Sequence, residues 1–210
     1  APVLRALWNQ VPGLSLIVQS ELDADLVRRW IGLPMTVIRR PTDPGVSMIS
    51  ALQVDIPLTR STYAAQSSHW TELVAAEAEH LRALQPDLVL TNNSFLLSAA
   101  AARIGVPSIH CCSLNWADIF AAYAADDESS ATIIREVTAA YNEAEFFIRF
   151  TPGLPMSTLK EVREVGMVCR EGQVHDLAMM CGFRAGTRFV LVSMGGMPYA
   201  IPYEGWPEAE

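Results

Sequence analysis

The sequence has no uninterrupted apolar run near the roughly 18 residues that a membrane-spanning helix requires. Its richest stretch, Phe95 to Ile104, is broken by Ser98 and Arg103 and closed by Gly105. It has no excess of basic charge: 15 Lys and Arg stand against 23 Asp and Glu, a net charge of −8. Nucleic-acid binding as the main activity needs a basic face to neutralise phosphates, so that class is set aside. An anionic ligand is not, because a helix N-terminus and backbone amides hold phosphate without net positive charge. The four cysteines, Cys111, Cys112, Cys169 and Cys181, form no CxxC pair and no zinc spacing. Adjacent cysteines rarely bridge, so these read as reduced thiols in a reducing compartment. No pair of histidines shows metal-ligand spacing, and no metal site is expected. GxGxxG, P-loop and GxSxG patterns are all missing, which removes the dinucleotide, ATP and serine-hydrolase fingerprints. With no secretory signal and no lipidation motif, a cytoplasmic protein is the expectation.

What is present is apolar and ordered. Half of the 210 residues are hydrophobic and 18% are charged, enough to bury a substantial core. The stretch from Gln85 to Trp116 is the most informative. Pro86 to Thr91 reads as a short apolar strand, and Ser94 opens an Ala-rich helix that stops at Gly105. Val106 to Cys112 is a second strand, with another helix start at Asn115. Two buried strands joined by a crossover helix form a βαβ unit, so an α/β fold with a parallel sheet is expected. Such sheets bind ligands just past the carboxyl ends of their strands. That places Asn92, Asn93 and Ser94, then Ser113 to Trp116, on the rim where chemistry occurs.

Elsewhere the pattern predicts a helix over Ala1 to Trp8 and a strand over Gly13 to Val18. Ser20 with Asp23 resembles a capping box for a helix over Glu21 to Ile31 that Gly32 stops. Pro34 to Ile38 reads as a strand, and Arg40 to about Pro57, with Pro41, Pro44 and Gly45, as a long surface loop. Thr59 to Leu84 carries apolar residues at helical spacing and predicts one long amphipathic helix. Helices are expected over Asn115 to Ala125 and Ser129 to Ala144, split by an acidic turn. Phe146 to Phe150 reads as a strand, Thr151 to Ser157 as a loop, and Val165 to Cys169 as extended. Gly172 to Cys181 suggests a linker helix, and Arg188 to Ser193 a strongly buried strand ending in Gly195-Gly196.

In order and spacing these segments resemble the amino-terminal half of the B-type glycosyltransferases, in which two Rossmann-like domains face each other. The likeness is nearest to the lipid-linked N-acetylglucosaminyltransferases of peptidoglycan synthesis and their relatives, which include the amino-terminal region of arabinokinase-like proteins. It rests on Ala1 to Trp8, on Leu84 to Leu90 with Ile104 to Ser108, on Ser113 to Asp118, and on Val165 to Arg170 with Arg188 to Gly196. The resemblance implies a Rossmann-like acceptor-side domain over 1–169 with its first strand missing. Residues 170–210 would be a linker and the first strand and Gly-Gly turn of an incomplete donor-side domain. The chain would then be a fragment of a longer protein, expected to be inactive alone.

The implied activity is transfer of a hexosyl group from a nucleotide sugar, a UDP-linked one being the expected donor. The acceptor would be a small molecule or a lipid-linked one, with no other cofactor, and a homo-oligomer stays open. Ser193, Gly195 and Gly196 would hold the donor diphosphate, since glycine lets backbone N–H groups approach it closely. Asn92, Asn93, Ser94, Asn115 and Trp116 would line the acceptor side. Each has a plainer reading: the Asn and Ser residues as helix N-caps, Trp116 as core. His110 is either a satisfied core histidine or a proton acceptor for a hydroxyl. No residue is firmly assigned as catalytic, because the family's base belongs to the missing first turn. Where relatives often carry Asp at the end of the strand before the Ala-rich helix, this chain has Asn92 or Asn93. That departure leaves a non-catalytic sugar- or nucleotide-binding or regulatory module, or a nucleotide-sugar epimerase, as alternatives.

Overall fold

A computed structural model describes residues 1–124, 128–170, 172–184, 186–190, 192 and 203–206. Its centre is a four-stranded, all-parallel sheet in the order β5 (Val89–Thr91), β6 (Ser108–Cys112), β7 (Phe146–Phe150) and β8 (Val162–Val165). The registers pair Thr91 with His110, His110 with Phe147, and Phe147 with Val162, so these residues form one row across the strands. Parallel neighbours need crossovers long enough to return to the same end of the sheet. The first is α5 (Phe95–Arg103), and the second is the pair α6 (Trp116–Ala124) and α7 (Glu128–Tyr141). The fold is therefore α/β, a parallel sheet flanked by helices of Rossmann-like type, as the βαβ pattern predicts.

A second parallel pair, β1 (Ile17–Ser20) and β2 (Thr36–Arg39), is joined by α2 (Ala24–Ile31) and preceded by α1 (Pro2–Gln10). Among the described residues it shares no ladder with the four-stranded sheet. Buried Glu77 links the two units: it accepts from Arg40 Nε at 2.7 Å and from Gln19 Nε2 at 2.9 Å. Gly32 ends α2 in the left-handed conformation at φ 67°, which the glycine stop predicts. The cap itself is Asp23, which accepts from the N–H of Asp25 and Leu26. Ser20 instead closes a turn with Leu22 N–H, so the helix starts one turn later than the capping box suggests.

The expected single helix over Thr59 to Leu84 is two helices, α3 (Ile56–Ser68) and α4 (Trp70–Leu84), broken at His69 with φ −118°. The hydrophobic period runs through the break, but Ser67-Ser68-His69 are weak helix formers, and the Ser68 hydroxyl bonds back to Ala65 O. The break lets the two helices serve different partners: α3 packs on α6 and α7, and α4 on α5. Likewise the expected loop over 40–57 is irregular only to Ser47. A small antiparallel hairpin, β3 (Met48–Ser50) and β4 (Gln53–Val54), follows it. Beyond β8 comes the short α8 (Leu177–Cys181). The strand expected over Arg188 to Ser193 is not formed at its described residues, and Val190 is 82% exposed. An apolar run becomes a strand only beside a partner edge that satisfies its N–H and C=O groups, and no described segment supplies one.

Two clusters make the core. Tyr63, Phe95, Phe120, Ile133, Val137, Tyr141, Phe147 and Met156 join α3, α5, α6, α7 and β7, and Ala78, Leu81, Val89, Ala100 and Ala101 join α4, α5 and β5. The alanines of α5 let α4 approach closely, at little side-chain entropy cost. The loop after β7 is equally tight. A Cβ on Gly153 would lie 2.6 Å from Phe150 O and 2.8 Å from Ser113 O, both backbone atoms. Gly153→Ala is expected to destabilise by about 1–3 kcal/mol, since only backbone movement relieves the overlap. A lower urea midpoint at unchanged m-value would show it.

Candidate functional site

The carboxyl ends of β5 and β6 carry the polar rim. After Thr91 the chain turns through exposed Asn92 and buried Asn93, whose φ of +79° is a conformation that Asn tolerates better than most residues. Ser94 is the N-cap of α5, accepting from Leu97 N–H at 3.2 Å, so neither Asn has to fill that role. Asn93 instead accepts the Tyr141 hydroxyl on Oδ1 at 2.7 Å. After Cys112, Asn115 caps α6 by accepting from Asp118 N–H at 2.8 Å. The Tyr141 hydroxyl also accepts from Trp116 N–H at 3.1 Å and so connects the two strand ends. Asn93 and Asn115 are 4% and 0% exposed, and neither Nδ2 has a hydrogen-bond partner among the described residues.

Beneath the rim lies His110. Its Nδ1 is 2.5 Å from Thr91 Oγ1 and its Nε2 is 2.6 Å from Ser98 Oγ. The ring stacks on Phe147 and meets Tyr141 edge-on. Burial lowers its pKa to about 3, so the imidazole is neutral and one hydroxyl donates to it while it donates to the other. A proton acceptor for a bound hydroxyl needs an open nitrogen, and both nitrogens are engaged in a residue with no exposed surface. Of the two readings of His110, the geometry supports the core one. Ser98→Ala leaves Nε2 unmet in the core and is expected to cost about 1–3 kcal/mol, measurable by chemical denaturation.

The structure adds a residue that the sequence did not single out. The irregular segment 40–47 crosses the rim as a strap and delivers Asp43 to the start of α5. Its Oδ1 accepts from Leu96 N–H at 3.1 Å, and the Ser94 hydroxyl and Phe95 N–H beside it also favour its charged form. Trp116 braces the strap: a Cβ on Gly45 would lie 3.3 Å from the indole ring. Burial pushes the Asp43 pKa up to about 7 against those three donors, with the Glu77 carboxylate adding to the rise. The Asp43 charge in turn raises the phenols of Tyr63 and Tyr141, both already raised by burial.

Half-buried Asp43 and buried His110 act on stability with opposite sign. A carboxyl that holds its proton longer when folded loses stability as pH climbs from about 4 to about 7, because the folded state binds more protons there. A histidine kept neutral does the reverse: its contribution is complete above about 6.5 and is lost as pH falls toward 3. Asp43→Asn keeps an oxygen for Leu96 N–H and removes only the first effect. Its stability relative to the parent is therefore expected to grow steadily between pH 4 and 7 and then level off. Urea unfolding across that range measures it, and parallel curves would contradict the assignment.

The rim thus gathers Asp43, Asn93, Ser94, Asn115, Trp116 and Tyr141, while Asn92 faces solvent. Ser193, Gly195 and Gly196 lie outside the described residues. A cavity of about 440 Å³ lies at the opposite, amino end of β7, between Asn142, Glu145, Lys160 and Arg163. Tyr141, at the end of α7, also lines it. Among the described residues no group of three or more His, Cys, Asp or Glu side chains is placed to hold a metal ion. No helix there is long and apolar enough to cross a membrane.

Fold and rim together define an α/β protein of Rossmann-like type with polar residues at the ends of its strands. In one curated relative, L-arabinokinase of Arabidopsis thaliana, 140 residues align at 26% identity, covering 64% of this chain. The match covers only 13% of that protein's length. No family model matches the chain. No solved structure matches it either.

Proposed function

We propose that this chain forms the acceptor-side lobe of a nucleotide-sugar-dependent glycosyltransferase. The observation that carries the reading is the pair of buried amides of Asn93 and Asn115 at adjacent strand ends, unpartnered among the described residues. Amide donors at neighbouring strand ends suit the hydroxyls of a sugar, and a buried donor without a partner costs free energy until a ligand meets it. Similarity to a protein named as a sugar kinase adds a sugar-related context. In this proposal the donor diphosphate lies against Ser193, Gly195 and Gly196, and residues from 170 onward belong to the donor side. An acceptor oxygen would bond to the anomeric carbon as the bond to the diphosphate breaks. Backbone amides would stabilise the charge on the departing diphosphate.

A second reading has its own support. The relative is named as a kinase, and the aligned stretch is a small part of its length. A sugar-binding module that performs no transfer, joined to other catalytic machinery, accounts for both facts. Calorimetric titration of the protein as expressed from its gene with UDP- and GDP-sugars separates the readings. The transferase predicts saturable binding and nucleoside diphosphate release once an acceptor is added. Binding without release points to the module, and no binding of any nucleotide sugar removes the transferase.

A further inference from the structure

The two parallel units turn toward each other edges that belong to no ladder among the described residues. On β1, Leu16 O and Ser20 O accept from Thr36 N–H and Arg40 N–H, so these residues point their backbone groups at β2. Backbone groups alternate along a strand, and those of Ile17 and Gln19 therefore point the other way. On β5, Val89 N–H donates to Pro107 O at the entry to β6, so the groups of Leu90 also point away from their partner. Parallel strands are normally paired and covered on both sides, which makes two such edges in one molecule costly.

Helix α4 lies across both edges and fixes their direction. Its Glu77 accepts from Gln19 Nε2 and Arg40 Nε, near the carboxyl ends of β1 and β2. One turn later Leu81 shares a cluster with Val89, the first residue of β5, after the chain reverses at Gln85. The carboxyl ends of β1, β2 and β5 thus lie at one end, and the three strands run parallel. The strap sets the width between them. From Arg40, which still bonds Ser20 O, to Asp43 on Leu96 N–H the chain has three residues, at most roughly 10 Å plus one side chain. At about 4.8 Å per strand, a gap of one strand puts β2 and β5 about 14 Å apart, and a gap of two puts them about 19 Å apart. Only the first is within reach.

We propose that this gap receives one further β-strand, parallel to β1 and β5, supplied by the stretch of polypeptide that leads into α1. Helices α1 and α2 pack together, with Arg5 Nε on Ile31 O at 2.9 Å, so they cover one face. The crossover from β1 to β2 runs through α2, and crossovers of this kind are almost always right-handed. A right-handed crossover through α1 on the same face enters β1 from the side away from β2, which is the gap. Apolar surface there waits for cover. Ile17 and Leu88 are each 44% exposed, and Val3, Leu4, Leu7 and Trp8 of α1 are no more than half-buried. An apolar strand as long as the four residues of β1 would cover them. The sheet order becomes β2, β1, the inserted strand, β5, β6, β7, β8, with the winding reversing at the inserted strand. Ligand crevices form at such reversals, so its carboxyl end completes the rim beside the strap. The inference concerns the sheet and holds for a transferase and for a binding module alike.

The test is amide hydrogen exchange by NMR on the protein as expressed from its gene, with through-bond correlations that identify the carbonyl accepting each amide. The amides of Ile17, Gln19 and Leu90 are expected to exchange roughly a thousandfold or more slowly than in a free peptide, like those of a central strand. Their acceptors are expected in residues that precede Ala1. Exchange at free-peptide rates overturns the proposal. So do acceptors within residues 1–210, the apolar run 188–193 included, and protection that is lost on dilution, which marks a strand from a second molecule. A second measurement uses side chains. Leu88→Ser is expected to lower the urea midpoint clearly, whereas Ile49→Ser, on the β3–β4 hairpin and 61% exposed, leaves it unchanged. Equal midpoints in the two variants overturn the covered gap.

Discussion

The imidazole of His110 is the joint on which this fold turns. It is a neutral ring gripped at both nitrogens, by Thr91 from β5 and Ser98 from α5, stacked on Phe147 of β7 and met edge-on by Tyr141 of α7. Five elements therefore meet at one residue of β6. A buried imidazole is tolerated only because both polar atoms are satisfied, and that requirement fixes where α5 sits relative to β5 and β6. The same constraint positions Tyr141, whose hydroxyl then reaches up to Asn93 and Trp116. The rim inherits its geometry from the core beneath it.

Above that joint the electrostatics change character. His110 is a polar group made comfortable, whereas Asp43 is an acid held where burial opposes its charge even with three donors around it. The strap that carries it is irregular backbone braced by one indole ring, and the Nδ2 groups of Asn93 and Asn115 lack partners among the described residues. Unmet donors and a resisted charge at the carboxyl ends of parallel strands are a local sacrifice of stability. Sites that bind ligands tend to carry such sacrifices, because groups satisfied by their own protein have nothing left to offer.

The βαβ unit was legible because its signals are local. A short apolar run, a polar cap, an Ala-rich helix, a glycine stop and a second apolar run need no distant partner to be read. Phe146–Phe150 was readable end to end, and Asn92 to Ser94 and Asn115 to Trp116 fell on the rim because strand ends in parallel sheets face one way. The break at His69 was hidden, since the hydrophobic period continues through it and the decision rests on which neighbours α3 and α4 meet. The run from Arg188 misled for a related reason: β-forming composition is real, but a strand also needs an edge to pair with. Asp43 was invisible, because nothing in Pro41-Thr42-Asp43-Pro44-Gly45 announces a contact with a helix start 53 residues away.

By itself, then, the sequence determined the α/β class, the parallel pairing of the strands around the Ala-rich helix, and the polar character of their ends. Those properties follow from spacing and composition within windows of about thirty residues. Tertiary structure alone decided that His110 is locked into the core and that Asp43 completes the rim. The reason is physical: a hydrogen-bond partner far along the chain is chosen by packing, and packing depends on every element that closes around the pair.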